Sequence, residues 1–222
     1  MSVMKRRIIL IGGMPTVGKS TIAQALSRHY DLPYISTDQI RVIMEGTVKD
    51  TSEYPLLFNE EGHTAESFLN NYTADEIATL EYNQADEVWP VIRNFIEHDW
   101  VWRQGMIVEG VNIVPHLVVE PLRDSIHVQT LFLSDKNQER TREVVFSRGL
   151  FGPAASYSDS VKDKEVEWVN LFNQRICNDA RQYGCKMFDT NKTQKDVHKI
   201  IAWLDEDYES IKANGCSGTI KI

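Results

Sequence analysis

Apolar and polar positions along this chain alternate between two rhythms. Arg7 to Ile11 is a short, β-branched run, apolar almost without a break, which suits a strand buried on both faces of a sheet. Ser20 to Tyr30 then carries Ile22, Ala23, Leu26 and Tyr30 at helical spacing. Leu32 to Thr37 predicts a second short strand, after which Thr37 or Asp38 can cap a helix running to Met44. Residues 46–72 lose their periodicity and gather turn formers, as an insertion of loops and short helices would. From Thr73 a long helical stripe follows through Ile77, Leu80, Val88, Ile92, Phe95 and Ile96, and Pro90 inside it predicts a kink or a split.

The second half repeats the alternation. "GMIVEGVN" reads as a third strand ending at Glu109, and "IHVQTLFLS" as a fourth. A charged helix is expected over Asp135 to Arg148, a Gly/Pro/Ser loop over Leu150 to Asp159, and a helix over Val161 to Gln182. A fifth strand, "CKMFDT", and a helix from Gln194 to about Tyr208 complete the order. Five short strands alternating with helices predict an α/β fold, a five-stranded parallel sheet with helices on both faces. Strands spread over the whole chain argue for one domain over residues 1–211, followed by a flexible tail at 212–222.

Composition narrows this picture only a little. A chain of 222 residues holds one well-buried α/β domain with insertions. The net charge of -8 argues against a nucleic-acid partner, since phosphate backbones are held by a surplus of Lys and Arg. Cys177, Cys185 and Cys216 lie far apart without metal-binding spacing, as expected for reduced thiols in the cytoplasm. The basic N-terminus leads into an apolar run too short for a signal peptide, and no segment has the length to cross a membrane.

The candidate chemistry sits in "GMPTVGKS", Gly13 to Ser20, an ungapped match to G-x-x-x-x-G-K-[ST] between a strand and a helix. Such a loop turns its N–H groups inward around phosphate oxygens, which is why glycines are used, and the helix start adds its positive dipole end. The ATP-binding residues expected here are Gly13, Met14, Pro15, Thr16, Val17, Gly18, Lys19, Ser20 and Thr21. Lys19 is placed for the β- and γ-phosphates and Ser20 for Mg²⁺. The fold is then the three-layer P-loop kinase type. Asn191-Lys192 resembles the guanine-reading pair of G-proteins, but Gln194 stands where that motif needs Asp, so a GTPase is set aside.

The acceptor side is read from the strand tips. Asp38 and Arg41, three apart on a helix, share a face: a carboxylate to take or orient a hydroxyl proton, and a guanidinium to fork onto an anionic group. Glu109 closes an apolar strand, suited to Mg²⁺ or to the acceptor, with Asn112 just beyond it. Arg148, and secondarily Arg140 and Arg142, precede the Gly/Pro loop and are candidates to neutralise the transferring group from a lid at about 148–160. Thr190, Asn191 and Lys192 follow the last strand, where an adenine-contacting loop would lie. His116 is the histidine expected nearest the cleft.

"LIGGMPTVGKSTIA", "STDQIRVIM", "IVEGVNIVP" and "LFLSDKNQERTREVVFSRG" together resemble the 2-phosphoglycerate kinase family and its relatives among small P-loop kinases. The resemblance implies ATP-dependent, Mg²⁺-requiring phosphoryl transfer to a small anionic hydroxyl compound such as 2-phosphoglycerate. This chain has "YPLLFNEEG" where the family carries a Ser-Ser-Tyr stretch, and Asn112-Ile113 where it carries His-Leu. The alternatives are a kinase for a nucleotide, sugar or antibiotic hydroxyl, or a regulatory ATPase module. A small molecule is the expected partner, with no nucleic acid or membrane, and a homodimer is the oligomer to test for.

Overall fold

A computed structural model describes residues 5–98, 102–190 and 194–213. Its sheet is parallel throughout, with strand order β2-β3-β1-β4-β5. Strand β1 is Arg6–Gly13, β2 Tyr34–Ser36, β3 Gly105–Glu109, β4 Ile126–Ser134 and β5 Lys186–Asp189. The central β1 has Ile8, Ile9, Leu10 and Ile11 fully buried, which is the two-sided burial its unbroken apolar run predicts. Helix α1, Lys19–Tyr30, packs with α8, Gln194–Ala213, on one face. Helices α4, Ala74–His98, and α7, Asp159–Gln182, pack against each other on the opposite face. The fold is therefore the three-layer α/β arrangement expected of a P-loop kinase.

Two helix starts differ from their expected form. Helix α2, Thr37–Thr47, is capped by Ser36 rather than by Thr37 or Asp38. Ser36 Oγ accepts from the Asp38 amide at 3.2 Å and Gln39 Oε1 accepts from the Ser36 amide at 3.0 Å, a reciprocal capping box. Helix α6, Gln138–Arg148, begins three residues later than predicted because Asn137 caps it, while Asp135 stays behind as a buried carboxylate at the end of β4.

Helix α4 decides against the split that Pro90 allows. It runs unbroken for 25 residues with the proline inside it. Pro90 is exposed, and so is Asp86, whose carbonyl loses its helical donor to the proline. With both residues on the exposed face, the stripe of Ala85, Val88, Trp89, Ile92 and Ile96 continues into the core. Residues 46–72 contain the short helix α3, Ala65–Asn71, and one 3₁₀ turn at Thr51–Glu53, the loops and short helices that lost periodicity predicts. The tail beyond residue 213 lies outside the described residues.

Candidate active site

The phosphate loop connects β1 to α1, and its backbone is unusual where the motif requires it. Gly18, the residue before α1, has φ 95°, and Thr16 is a non-glycine at φ 69°. Gly13 has φ 135°, and a Cβ there would run into the Leu133 carbonyl of β4. No side chain caps α1, so its first N–H groups stay open toward the loop. Met14 and Val17 are buried and anchor the loop from below, whereas Ser20 and Thr21 are exposed. This is the donor set that phosphate oxygens need: unpaired amides at a helix start with one ammonium among them.

That ammonium belongs to Lys19. It is buried, and Nζ donates to the carbonyls of Gly13 at 3.0 Å and Met14 at 2.8 Å, which lays the side chain across the loop. Burial lowers its pKa to about 8; the carboxylates of Glu109 and Asp38 oppose that shift, and the Arg148 guanidinium adds to it. The same electrostatic neighbourhood therefore contains Lys19, Glu109, Asp38 and Arg148, drawn from four separate segments. Parallel pairing explains their convergence. Ile11 of β1 and Ser36 of β2 both lie in register with Glu109, so the loop after β1, the start of α2 and the end of β3 meet at one sheet edge.

Glu109 is buried, not the solvated strand end that a lone glutamate would suggest. Ser20 Oγ donates to its Oε1 at 3.0 Å. A hydroxyl at the loop and a carboxylate at the adjacent strand end form a pair suited to Mg²⁺, which keeps most of its shell as water and phosphate oxygens. Gly110 must be glycine: φ is 159° and a Cβ would strike Thr37. Asn112 is fully buried; Nδ2 donates to Gln84 Oε1 at 3.3 Å, and Oδ1 has no hydrogen-bond partner.

The expected arginines separate. Arg148 ends α6 and joins the Lys19 neighbourhood. Arg140, a helix length away, is held by the buried Asp135 through Nε at 2.9 Å and Nη2 at 2.6 Å. Its Nη2 also reaches the Thr190 carbonyl at 3.4 Å, so it braces the end of β5 instead of joining Arg148. Arg142 pairs with Asp163 and stacks on Phe146. Thr190 is buried, its amide bonded to Ser134 O at 2.9 Å; Asn191 and Lys192 lie outside the described residues. His116 is engaged by Tyr82 Oη at 3.2 Å and Asp86 at 3.1 Å, and ties the short helix α5, Pro115–Val118, to α4.

Arg41 faces carboxylates. Its Nε lies 3.9 Å from Glu45, and its charge is felt by both Glu60 and Glu81. Glu81 of α4 is a residue that apolar periodicity passes over. It is buried, feels Arg41, Glu60 and Asp38, and its pKa is raised to about 7 chiefly by burial. The sequence does hold a trace of it: Glu81 and Gln84 are the two polar residues on the inward face of an otherwise apolar stripe.

Comparison with known proteins agrees with this geometry. No family model matches the chain. The chain is 26% identical over 202 residues to a 2-phosphoglycerate kinase of Methanocaldococcus jannaschii, covering 90% of this chain and 63% of that one. It is 31% identical over 204 residues to a 2-phosphoglycerate kinase of Methanococcus vannielii, covering 87% and 63%. A mevalonate-3-phosphate 5-kinase of Thermoplasma acidophilum is 24% identical over 140 residues, covering 63% and 67%. The chain thus spans less than two thirds of the length of the 2-phosphoglycerate kinases it matches. Among solved structures, a shikimate kinase from Acinetobacter baumannii in complex with shikimate superposes with TM-score 0.50 at 13% identity, over 92% of this chain and 96% of that one. A gluconokinase from Sinorhizobium meliloti gives TM-score 0.50 at 15% identity, over 90% and 94%. At those identities the two structures speak for the fold alone. The chain has the small P-loop kinase fold, and its sequence is similar to that of 2-phosphoglycerate kinases over about nine tenths of its length.

Proposed function

We propose that this protein is an ATP-dependent, Mg²⁺-requiring kinase that phosphorylates a hydroxyl group of a small metabolite. The observation that carries the reading is the P-loop itself, with the buried Lys19 laid across it and Ser20 bonded to the buried Glu109. The loop amides and Lys19 bind the triphosphate. Ser20 and Glu109 would hold Mg²⁺, which neutralises charge on the β- and γ-phosphates. Asp38, exposed on the first turn of α2, orients the acceptor hydroxyl and accepts its proton. The acceptor oxygen bonds to the γ-phosphorus, the bond to the β-phosphate oxygen breaks, and ADP leaves. Arg148 stabilises the charge on the transferring group.

The curated relatives are named for two different phosphorylated compounds, 2-phosphoglycerate and mevalonate 3-phosphate, so 2-phosphoglycerate is the first acceptor to assay. The test is ADP release measured with and without candidate acceptors. Acceptor-dependent ADP formation with a phosphorylated product supports the kinase. Slow ADP release indifferent to every acceptor favours a regulatory ATPase. Among the described residues no helix is long and apolar enough to cross a membrane, and we infer a cytoplasmic enzyme acting on a freely diffusing acceptor.

A further inference from the structure

Arg41 lies three residues beyond Asp38 on α2, and its surroundings are carboxylates. Glu45 is 3.9 Å from its Nε, beyond hydrogen-bonding reach, and that Nε is buried with no partner. Glu60 and Glu81 both feel its charge. The guanidinium therefore sits in negative charge while its Nε–H is bonded to none of it. A buried donor without a partner is costly until a ligand supplies one.

Glu81 differs from the other carboxylates around Arg41. Glu45 is exposed and Glu60 half-buried, whereas Glu81 is 5% exposed and its Oε1 is buried without a hydrogen-bond partner. The charges that reach it are those of Arg41 and Asp38 from α2 and of Glu60 from the segment before α3. Gln84, three residues along α4, is neutral and takes the amide of Asn112 at 3.3 Å. Helix α7, also packed on α4, sends Arg175 to Thr79 Oγ1 at 3.1 Å and over the Tyr82 ring. One cation against two carboxylates compensates Glu81 poorly, and burial removes the water that would screen it. Its pKa of about 7 reflects that burial, with Arg41 opposing it. The acid thus changes charge near neutral pH, and the change is felt by Arg41. Ionised, Glu81 offsets part of the guanidinium charge. Protonated, it leaves that charge to a ligand.

Resting on the kinase reading above, we propose that Arg41 holds an anionic group of the acceptor, and that Glu81 is a positioning residue whose proton sets how much of the Arg41 charge that group meets. Glu81 acts through Arg41 and has no need to touch the acceptor. Linkage gives the direction. A bound anion favours the protonated acid, so acceptor binding takes up a proton where the free protein has lost it. Acceptor affinity therefore falls as pH rises above about 7.

The experiment is the acceptor KM from about pH 6 to pH 9 at saturating ATP, with 2-phosphoglycerate, 3-phosphoglycerate and glycerate as acceptors and glycerol as the uncharged control. Saturating ATP takes Lys19 out of the profile, and Glu81→Gln measured alongside keeps the acceptor's own ionisation in place. In the wild type, KM for the best of the three acids should rise by about tenfold between pH 7 and pH 9, the factor by which the bound anion favours the neutral acid. Glu81→Gln should hold the low-pH KM across the range, because a neutral amide copies the protonated acid. A merely structural role would change KM without flattening its pH profile. Arg41→Gln should raise KM by about tenfold or more at pH 7 and flatten the rise as well. If Glu81→Gln does not fold, Arg41→Gln on the more open α2 carries the test. A profile as steep in Glu81→Gln as in the wild type, a rise that survives Arg41→Gln, or turnover confined to glycerol overturns the assignment and leaves the kinase standing. ADP formation indifferent to every acceptor overturns the kinase reading and the assignment with it.

Discussion

Ser20 and Glu109, 89 residues apart in sequence, are joined by a 3.0 Å hydrogen bond from the first turn of α1 to the end of β3. The bond places a neutral hydroxyl and a buried carboxylate on the same side of the phosphate loop. If they share Mg²⁺, Ser20→Ala and Glu109→Gln should each raise the Mg²⁺ concentration for half-maximal activity by about tenfold, a charge-assisted contact in each case. The double variant should lose less than the sum of the two in free energy, since one ion links them. Magnesium titrations of the three variants decide this, and additive losses would separate the two residues.

Lys19 gives the nucleotide site a pH dependence of definite sign. Its pKa of about 8 lies below the ordinary lysine value of 10.5, so the free protein holds the ammonium fully below that pH and loses it above. Phosphate binds the charged form. ATP affinity should therefore be flat up to about pH 7 and weaken by about tenfold by pH 9, with proton uptake on binding in that upper range. Calorimetry in two buffers of different ionisation enthalpy reads both quantities. Lys19→Ala should abolish transfer, weaken ATP binding by about tenfold or more and remove the pH dependence. An unchanged slope in that variant would assign the titration to another group.

The phosphate loop was legible from sequence because its geometry is local: two glycines, a lysine and a hydroxyl at fixed spacing between strand and helix leave few other structures. Glu109 was legible as a strand end but not as a buried one, since burial depends on Ser20 and β2 arriving from elsewhere in the chain. Glu81 and Glu165 were out of reach for a different reason. Each sits in a long helix whose apolar stripe gives its inward face, and only the segments packed on that face reveal what it meets. Arg148 already stands ahead of Arg140 in "ERTREVVFSRG" by its place beside the loop, but only the fold shows that Asp135 takes Arg140 while the charge of Arg148 reaches Lys19. Pro90 left a split open because its effect depends on which side of α4 faces water, and that side is not local information.

Asp38 separates chemistry from binding. Asp38→Asn keeps the shape of the first turn of α2, and the Ser36 cap acts through the backbone amide, so the helix should be untouched. What it removes is the carboxylate charge near Lys19 and the proton acceptor. Acceptor-dependent turnover should fall by about 10²–10⁴ while ATP affinity stays within a few fold. Single-turnover kinetics would locate the loss in the chemical step. Near-normal rates would leave positioning and electrostatics to drive transfer without a base.

The loop after α6 rests on a buried acid. Glu165 of α7 is fully buried, and its Oε1 accepts from Tyr157 Oη at 2.7 Å and from the amides of Leu150 and Phe151 at 3.3 Å. Those residues lie in the loop directly after Arg148, and Gly149 between them has φ 73°, where a Cβ would run into Gly152 and Tyr157. Arg148 is thus held at the end of α6 by a loop that Glu165 fastens to α7. Arg148→Ala should lower kcat by about 10²-fold or more and leave ATP affinity nearly unchanged, because a contact made in the transition state acts on rate. Glu165→Ala strands the Tyr157 hydroxyl and the Phe151 amide, while the Leu150 amide keeps Tyr157 Oη at 3.3 Å; a loss of about 1–3 kcal/mol should lower Tm by roughly 2–10 °C. It should also depress kcat in the same direction as Arg148→Ala. In the Arg148→Ala background, however, adding Glu165→Ala should lower Tm without a further fall in kcat, since the arginine it positions is already gone. A second, multiplicative loss of kcat in the double variant would show that Glu165 acts on the reaction by a route other than Arg148.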